Sequence, residues 1–421
     1  MKAWVGLGSN LGDRRANLER AAKLLLESSG VARLQAAPIV TSPALIPPGA
    51  PQDWNKPYLN SVIGLDWPGT ASELLILLKK IEKEIGRTPA ERWAPRLIDL
   101  DLLTLGEQSV NTDLLRLPHP GIKERSFVLT PLNHFASDLR LPTENVTVLQ
   151  MRRRDSKPLP LWMGIVNLTP DSFSELSPMD RAQETLTKFA AEGVHIVDLG
   201  AESTRPGATS LTAAEEWTRL APVLDWWSGH TETQVFKPLL SVDTYHAETA
   251  ARAVAMGADI INDVSGLSSS AMLEVLCHTH CQYVLMHSLS VPADPSKHLP
   301  NNDPILELKN WALTKLEILQ EAGVSRDRIV FDPGIGFGKT PAQCWQIVKG
   351  VHRLLDLPVR LMIGHSCKSF LTTLRDSSPS DRHSETLGLS LQLASRGVDI
   401  LRVHEPIASQ LAYQSYVEAS P

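Results

Sequence analysis

Apolar and polar positions alternate with two different rhythms along the chain. Up to residue 148, short β-like runs are separated by two amphipathic segments, and the second carries one apolar stripe at helical spacing from Leu74 to Ile85. The pattern predicts strands at 2–7, 31–41, 58–66 and 97–105, with helices at about 15–28 and 71–86. This is the split βαβ order of an α+β ferredoxin-like sandwich.

From residue 160 to residue 421, eight apolar runs alternate with helical segments, most of which end in a glycine cap. The runs are LWMGIVN, VHIVDLG, PLLSVDT, ADIINDVSG, QYVLMHS, RIVFDPG, VRLMIGH and VDILRVHE. Continuous apolar strands between helices indicate a parallel sheet covered on its outer face. Eight such units in about 260 residues predict a (β/α)8 TIM barrel.

A basic, proline-containing stretch separates the two patterns. Residues 149–159 predict an extended linker, in which the side chains of Arg152–Arg154 are solvated. The chain is therefore predicted to have a first domain at 1–148 and a second domain at 160–421.

Composition narrows the class of protein. The 421 residues are 43% hydrophobic and 21% charged, as in a globular protein with two or three cores. A formal net charge of −6 argues against a nucleic-acid or anionic-membrane partner. The chain has four cysteines, no apolar run near 18 residues and no charged leader, so the sequence predicts a cytoplasmic location.

Two glycine-rich stretches imitate nucleotide-binding loops. In FDPGIGFGKT, residues 331–340, a P-loop would need glycine where Pro333 stands, and proline supplies neither the N–H donor nor the turn. GLGSNLG near the start is one residue too wide for the dinucleotide fingerprint, and no acidic residue at about 30–45 follows to hold a ribose. Neither stretch predicts a nucleotide site.

Polar residues stand at the predicted carboxyl ends of the barrel strands, where barrel active sites lie. They are Asn167, Asp198, Asp243, Asn262, His287, Asp332, His365 and His404, with Lys368 and Arg402 close by. Any single one could instead cap the following helix. As a ring around one cavity, they favour a flat heterocycle that offers donors and acceptors along its edge.

The first half has its own candidate chemistry in ERWAPRLIDLDLL, residues 91–103. Asp99 and Asp101 are two apart in a predicted strand, so both carboxylates point to one face, about 7 Å apart. At an effective dielectric constant near 20 they repel by roughly 2 kcal/mol, which a divalent cation would reverse. The pair either forms the wet face of an edge strand or, with the arginines around it, handles a polyphosphate.

The second half resembles the dihydropteroate synthase family through the ordered motifs MGIVNLTPDSFS, VDLGAESTRPGA, SVDT, INDVSG, FDPGIGFGKT, GHSCKSF and LRVHE. The resemblance implies that 4-aminobenzoate displaces diphosphate from a pterin methyl carbon. By position, the pterin would contact Asp198, Asp243, Asn262, Asp332, Phe337 and Lys368. The diphosphate would contact Asn167, Arg402 and His404, with one Mg²⁺ near Asn167. The aminobenzoate would be bordered by Thr204, Arg205, Pro206 and Ser369, and sulfonamide sensitivity would act through Phe173 and Pro206. The catalytic residues implied are Asp243, Lys368, Arg402 and His404.

The first half resembles the 6-hydroxymethyl-7,8-dihydropterin pyrophosphokinase family through GLGSNLGDR, TSPAL, YLNSV, ERWAPRLIDLDLL and LPHPGIKERSF. The resemblance implies transfer of diphosphate from ATP to the pterin hydroxymethyl group. The catalytic residues implied are Arg87, Arg96, Asp99 and Asp101, and the two aspartates would bind two Mg²⁺ ions. ATP would contact Glu82, Arg92, Trp93, His119 and Arg125, and the pterin slot would comprise Ser42, Leu45, Tyr58, Asn60 and Phe127.

Three stretches depart from these families. SFSEL lacks the Asp-Gly-Gly that usually follows, Cys367 stands where Arg is common, and GRTPAERW is one residue short. Because the first half's product would be the second half's substrate, the sequence predicts a bifunctional folate-synthesis enzyme whose barrel forms a homodimer. The alternatives are an inactive half that serves as a pterin-binding or assembly module, and a barrel methyltransferase acting on a folate. The methyltransferase has no evident use for STRPG or Lys368.

Overall fold

The computed structural model describes residues 1–91, 93–142, 144–169, 176–202, 210–294, 296–300 and 303–419, the side chain of Ser380 excepted. Contacts divide the chain into two compact units, 1–159 with 233–237, and 160–232 with 238–421. No described helix combines the length and the apolar character that a membrane crossing requires.

The first unit is built from one sheet and its covering helices. Its elements are β1 (Lys2–Ser9), α1 (Arg14–Glu27), β2 (Ala32–Ala36), β3 (Val40–Ser42), β4 (Tyr58–Asp66), α2 (Ala71–Ile85), β5 (Asp99–Leu105), β6 (Val110–Asn111), β7 (Arg116–Leu117), α3 (Ser126–Ala136) and α4 (Val148–Arg153). The strand order β2-β4-β1-β5 is antiparallel throughout, with β3 also paired to β4. The predicted ferredoxin-like order is confirmed, but the predicted strand 31–41 is two strands, because Pro38 cannot donate to a ladder.

The two faces of this sheet are covered differently. One face packs against α1 and α2, with Leu74, Leu78 and Ile81 of the predicted apolar stripe in the core. A capping box between Thr70 and Glu73 starts α2, and Gly86 ends it in the left-handed conformation. The other face carries Trp4, Val62 and Leu103 against α3 and α4, and its remaining part is open to a ligand.

The residues predicted to form an extended linker lie within the first unit. Val148–Arg153 form α4, whose Val148 and Met151 pack in the same cluster as α3. Arg152 is only 1% exposed and donates to Leu159 O at 3.0 Å, so the prediction that this side chain is solvated is wrong. The basic run was misleading because one helical face of it is covered by α3.

The second unit is a barrel with alternating helices. Its elements are β8 (Leu161–Asn167), α5 (Pro178–Ala191), β9 (Ile196–Gly200), α6 (Ala213–Thr231), β10 (Leu239–Asp243), α7 (Ala247–Ala255), β11 (Ile260–Asp263), α8 (Ser270–His278), β12 (Gln282–Met286), α9 (Pro304–Glu321), β13 (Ile329–Asp332), α10 (Pro341–Lys349), β14 (Arg360–Ile363), α11 (His383–Ser395), β15 (Ile400–Val403) and α12 (Pro406–Ala419). Over the described ranges, β8 to β15 pair in parallel and close on themselves, each strand lying within one of the eight predicted runs. The predicted TIM barrel is confirmed, and its strand tips converge at one mouth.

Candidate active sites

A cavity of about 180 Å³ opens on the sheet face of the first unit that α3 and α4 leave uncovered. In its floor, Gly6 and Gly8 of β1 lie opposite Asp101 and Asp99 of β5. A Cβ atom on Gly8 would lie 3.0 Å from Asn60 Oδ1, so glycine keeps this floor clear. The cavity is therefore shaped by β1 and carries both predicted acidic residues.

Two arginines hold Asp99, one on each carboxylate oxygen. Arg87 Nη1 lies 2.6 Å from Oδ1, and Arg96 Nη1 lies 3.0 Å from Oδ2. The Asp99 side chain is 26% exposed, so water reaches this cluster. Burial alone would lower the pKa of Arg87, but the carboxylates of Asp99 and Glu82 outweigh burial and raise it, so the guanidinium stays charged.

Asp101 is paired more loosely. Its Oδ2 lies 3.9 Å from both His119 Nε2 and Arg125 Nη1. Burial, followed by the charge of Asp99, raises the pKa of Asp101, and burial lowers the pKa of His119. Because Gly121 N–H donates to His119 Nδ1, the neutral ring carries its proton on Nε2, facing the carboxylate. Asp101 is thus the acid that an added cation reaches with least competition.

Glu82 of α2 lies behind these groups and outside the cavity lining. It is 4% exposed, and its Oε1 accepts hydrogen bonds from Arg87 Nη1 at 2.5 Å, Lys79 Nζ at 2.8 Å and Leu100 N–H at 2.8 Å. Leu100 stands between the two aspartates on β5. A side chain this buried does not fit the ATP contact predicted for it; Glu82 instead ties α2 to the strand that carries the acids.

The five residues predicted for the pterin slot all line this cavity: Ser42, Leu45, Tyr58, Asn60 and Phe127. Asn60 Nδ2 donates to Ser42 Oγ at 3.0 Å, and the Arg125 guanidinium carbon lies 5.9 Å from the centre of the Phe127 ring. Trp93 lines the cavity as well, whereas Arg92 lies outside the described residues. The slot and the acidic pair therefore share one cavity.

At the mouth of the barrel, two aspartates share Arg402 of β15. Its Nε donates to Asp198 Oδ2 at 2.6 Å and its Nη2 to Asp243 Oδ2 at 2.7 Å. Asp198 is 0% exposed and also accepts from Ser241 Oγ at 2.5 Å and Asn262 Nδ2 at 3.2 Å. Asn262 Oδ1 is buried and has no hydrogen-bond partner among the described residues, so it can accept from a ligand.

Burial sets the protonation of this floor. Burial raises the pKa of Asp243 to about 7, against the lowering effect of Arg402. For Arg402, burial acts to lower the pKa, but Asp198 and Asp243 outweigh it and raise the pKa. The floor thus combines a fixed cation with a carboxyl group that titrates near neutrality.

Asp332 and Lys368 extend the same cluster. Asp332 Oδ1 accepts from Gly334 N–H at 2.7 Å, and burial raises the pKa of Asp332. Lys368 Nζ lies 4.4 Å from the centre of the Phe337 ring. Burial, then the charge of Arg402, lowers the pKa of Lys368 to about 8. An acid and an ammonium group thus flank an aromatic surface at the mouth.

The remaining predicted residues lie at the rim or outside the described part. Ser366 Oγ lies 2.8 Å from His404 Nδ1, and Asn167 and Ser369 are exposed. Phe173, Thr204, Arg205 and Pro206 fall outside the described residues.

Both halves match known families. Residues 4–137 match the family described as 7,8-dihydro-6-hydroxymethylpterin-pyrophosphokinase, and residues 163–404 match that described as pterin binding enzyme. A folate synthesis bifunctional protein of Chlamydia muridarum is 35% identical over 428 residues, 95% of this chain and 94% of the relative. The chain belongs to the family of bifunctional folate synthesis proteins. Its first unit is the pyrophosphokinase domain and its second the dihydropteroate synthase domain, which confirms the two predicted activities.

Other similar proteins come from the same families. A mitochondrial folate synthesis bifunctional protein of Pisum sativum is 33% identical, covering 95% of this chain and 86% of the relative. The dihydropteroate synthase of Xanthomonas albilineans with 4-aminobenzoic acid is 34% identical, with a TM-score of 0.57 over 62% of this chain and 94% of that one. That of Anaplasma phagocytophilum with bound 6-hydroxymethylpterin-monophosphate is 32% identical, with a TM-score of 0.56 over 62% of this chain and 98% of that one. The cytoplasmic location of this member stays a prediction.

In the synthase domain, the lysine of FDPGIGFGKT is a buried anchor. Lys339 is buried, and its Nζ donates to Phe337 O at 2.8 Å and meets His287 Nδ1 at 3.0 Å. Gly334 has a φ of +66°, and a Cβ atom there would lie 2.0 Å from His287 O, so only glycine fits. The motif therefore shapes the loop that presents Phe337.

Two predicted mouth residues point elsewhere. His287 lies against Lys339 and packs edge-on against Trp311 of α9. His365 is fully buried, and its Nε2 meets Ser390 Oγ of α11 at 2.9 Å. Their assignment to the mouth is wrong, because both barrel faces are apolar and the sequence does not reveal which face a strand-end residue takes.

Cys367, which stands where the dihydropteroate synthase family commonly has arginine, has a backbone φ of +55°. Its N–H donates to Thr386 Oγ1 at 3.0 Å, and Arg382 Nη1 donates to its carbonyl oxygen at 3.0 Å. An arginine from another segment thus fixes the backbone next to Lys368.

The sequence interpretation missed three polar residues that orient site residues: Asn10, Ser241 and Ser366. Asn10 Oδ1 accepts from Arg96 N–H at 2.7 Å, and Ser241 and Ser366 hold Asp198 and His404 as described. Asn10 and Ser241 stand at the end of, or inside, apolar strands. A polar residue in that setting needs a buried partner, which is the signal that could have found them.

Another polar cluster flanks the mouth. One ligand atom each of Glu202, Glu216 and His246 lies within 4.8 Å of the others in the described chain. Tyr245 O–H and Leu211 N–H donate to Glu202, and Thr244 O–H donates to Glu216. These carboxylates already have donors, so the cluster fixes the segments after β9 and β10.

Proposed function

We propose that the first domain transfers the diphosphate of ATP to the hydroxymethyl oxygen of 6-hydroxymethyl-7,8-dihydropterin and releases AMP. In the second domain, the amino nitrogen of 4-aminobenzoate bonds to the pterin methylene carbon as the bond from that carbon to the diphosphate oxygen breaks. The amine loses a proton, and 7,8-dihydropteroate and diphosphate leave. The observation that carries the second assignment is the buried Asn262 Oδ1 beside Asp243, which has no hydrogen-bond partner among the described residues and suits the N–H donors of an amino-pyrimidine edge.

In the first domain, Asp99 and Asp101 supply the carboxylate oxygens that Mg²⁺ prefers. Asp101 has no ion pair shorter than 3.9 Å among the described residues, so this donor set fits two Mg²⁺ ions that arrive with ATP. Bound there, the metal neutralises phosphate charge. Arg87, Arg96 and Arg125 offer guanidinium groups to the phosphate oxygens of ATP, with His119 beside them.

The pterin lies in the slot of the same cavity. Tyr58 and Phe127 provide flat surfaces, and Ser42 and Asn60 provide polar atoms for the ring edge. The hydroxymethyl group then faces the acidic pair, so both reacting groups are held in one cavity.

In the second domain, Asp243, Asn262 and Asp332 hold the amino-pyrimidine edge, and Lys368 holds the carbonyl side. Two Arg402 donors are already bound to Asp198 and Asp243, so Arg402 mainly places a positive charge at the floor. Asn167 offers an amide oxygen to one Mg²⁺ ion, and His404 stands at the rim for the departing diphosphate. The contacts of Thr204, Arg205, Pro206 and Ser369 with 4-aminobenzoate stay predictions.

The test supplies purified protein with ATP, Mg²⁺, hydroxymethyl-dihydropterin and 4-aminobenzoate, and quantifies AMP, diphosphate and dihydropteroate. We expect Asp101→Ala to abolish AMP formation while pre-made pterin diphosphate is still converted. Lys368→Ala should do the reverse. Asp66→Ala and Lys309→Ala remove the same charges from exposed ion pairs and serve as matched controls.

If both site variants lost both activities while folded, the division into two sites would be wrong. If wild-type protein performed only one half-reaction, the other domain would be the inactive module considered above.

The homodimer through the barrel stays a prediction, and Leu411 on α12 is an exposed apolar residue at which it can be tested. Light scattering should give twice the monomer mass, and Leu411→Glu should lower it.

A further inference from the structure

Asp99, the proposed metal ligand, has a guanidinium group on each carboxylate oxygen. Arg87 holds Oδ1 at 2.6 Å and Arg96 holds Oδ2 at 3.0 Å. A divalent cation that binds through Asp99 must compete with one of them for an oxygen, while both positive charges repel it. Free metal therefore competes poorly for this carboxylate.

The backbone around Arg96 is fixed. Asn10 Oδ1 accepts from Arg96 N–H at 2.7 Å, and Asn10 N–H donates to Arg96 O at 3.1 Å. Exchange of partners at Asp99 thus requires the arginine side chain to turn, while the chain stays in place.

We propose that Arg87, Arg96 and Asp99 form an arginine latch, which disfavours free Mg²⁺ and opens when the phosphates of ATP accept the two guanidinium groups. The proposal rests on the role proposed above for Asp99. Guanidinium groups bind phosphate oxygens in a bidentate manner, so a triphosphate is a suitable competitor for Asp99. Metal and nucleotide then raise each other's affinity.

Glu82 is the positioning residue of the latch. It accepts from the same Nη1 of Arg87 that binds Asp99, and it also holds Leu100 N–H of β5. When Asp99 turns to the metal, Arg87 keeps this buried carboxylate as its second partner. Glu82 therefore weakens the hold of Asp99 on Arg87, because both carboxylates accept from the same Nη1.

The test is a titration of the full chain with Mn²⁺, followed by electron paramagnetic resonance, with and without α,β-methylene-ATP. Without nucleotide, Arg87→Gln should bind Mn²⁺ about fivefold more tightly than wild type, the worth of one partly exposed ion pair. With the analogue, this advantage should disappear, because the wild-type latch is then open.

Two comparisons separate the latch from general electrostatics. Arg125→Gln removes a charge near Asp101 without freeing an oxygen of Asp99, so it should tighten Mn²⁺ by less than about twofold. Arg33→Gln, in an exposed ion pair with Asp66, should change nothing. Equal tightening by Arg87→Gln and Arg125→Gln would overturn the latch.

Asp99→Asn distinguishes failure of the latch from failure of the proposed metal role. If Asp99→Asn bound Mn²⁺ as tightly as wild type in the presence of the analogue, both the latch and the metal role of Asp99 would be wrong. If Asp99→Asn lost Mn²⁺ affinity but Arg87→Gln did not bind Mn²⁺ more tightly than wild type, the metal role of Asp99 would stand and the latch would be wrong.

A double-mutant cycle tests Glu82. In the wild-type background, Glu82→Gln should weaken nucleotide-free Mn²⁺ binding about twofold to threefold, because Asp99 becomes the sole carboxylate on Arg87. In the Arg87→Gln background it should have no effect. Equal weakening in both backgrounds would show a merely structural role and overturn this part. Arg87→Gln decides the latch even if Glu82→Gln does not fold.

Discussion

The two active sites are built on opposite arrangements of the same ion pair. In the pyrophosphokinase domain, one aspartate is shared by two arginines, and water reaches the cluster. In the synthase domain, one arginine is shared by two aspartates, one of which is fully buried. In the function proposed above, the guanidinium groups of the first arrangement bind phosphates, whereas a carboxylate of the second binds the pterin edge.

The difference also concerns what each cluster does for stability. Partly exposed ion pairs contribute little to the free energy of unfolding, because water screens them. Removing one partner of a buried pair leaves an uncompensated charge and is strongly destabilising. The first cluster should therefore be replaceable without loss of fold, and the second should not.

Among substitutions in these two ion-pair clusters, the largest expected loss of activity comes from Asp99→Asn. AMP formation should fall about a thousandfold, since the variant loses a carboxylate that is proposed to bind and position the metal. The free energy of unfolding of the pyrophosphokinase domain should change by less than about 1 kcal/mol. AMP assays and urea unfolding followed by circular dichroism measure both. Strong destabilisation would contradict the exposed character of this cluster.

Asp198→Asn should give a smaller loss of activity but a larger loss of stability. The free energy of unfolding of the synthase domain should fall by about 3 kcal/mol, because Arg402 keeps its buried charge and loses a counter-ion. Dihydropteroate formation should fall about a hundredfold as Arg402 and Asn262 lose their common acceptor. The exposed Asp225→Asn is the matched control. An unchanged free energy of unfolding in Asp198→Asn would contradict the contrast drawn between the exposed and the buried cluster.

The smallest expected effect is a narrow pH optimum of the synthase reaction. Its kcat/KM should rise as pH increases through about 7, where Asp243 ionises, and fall as pH increases through about 8, where Lys368 loses its proton. Each limb should change the rate about tenfold per pH unit. Lys368→Arg should remove the alkaline limb, because a guanidinium stays charged. An alkaline limb that persists in Lys368→Arg would assign it to another group.

The elements and much of each site could be read from the sequence. Glycine caps and apolar runs placed all eight barrel strands, since a parallel strand buried on both faces leaves a continuous apolar signal. The i, i+2 spacing of Asp99 and Asp101 placed both carboxylates on one sheet face, opposite Gly8 and Gly6.

Other features depended on contacts between distant segments. A glutamate on a helix is usually solvent-exposed, yet the carboxylate of Glu82 is buried against β5. His365 follows a barrel strand like its functional neighbours, but it faces α11. Arg152 lies in a basic run and is nevertheless covered.

The sequence by itself determined two domains, their folds and the residue types that each reaction needs, because local periodicity and ordered motifs are properties of short stretches. Only the tertiary structure decided which charged side chains form ion pairs with each other. Asp99 is 12 residues from Arg87, but Asp198 is 204 residues from Arg402. The strength and direction of such pairs depend on distance and burial, which arise when the sheet and the barrel close.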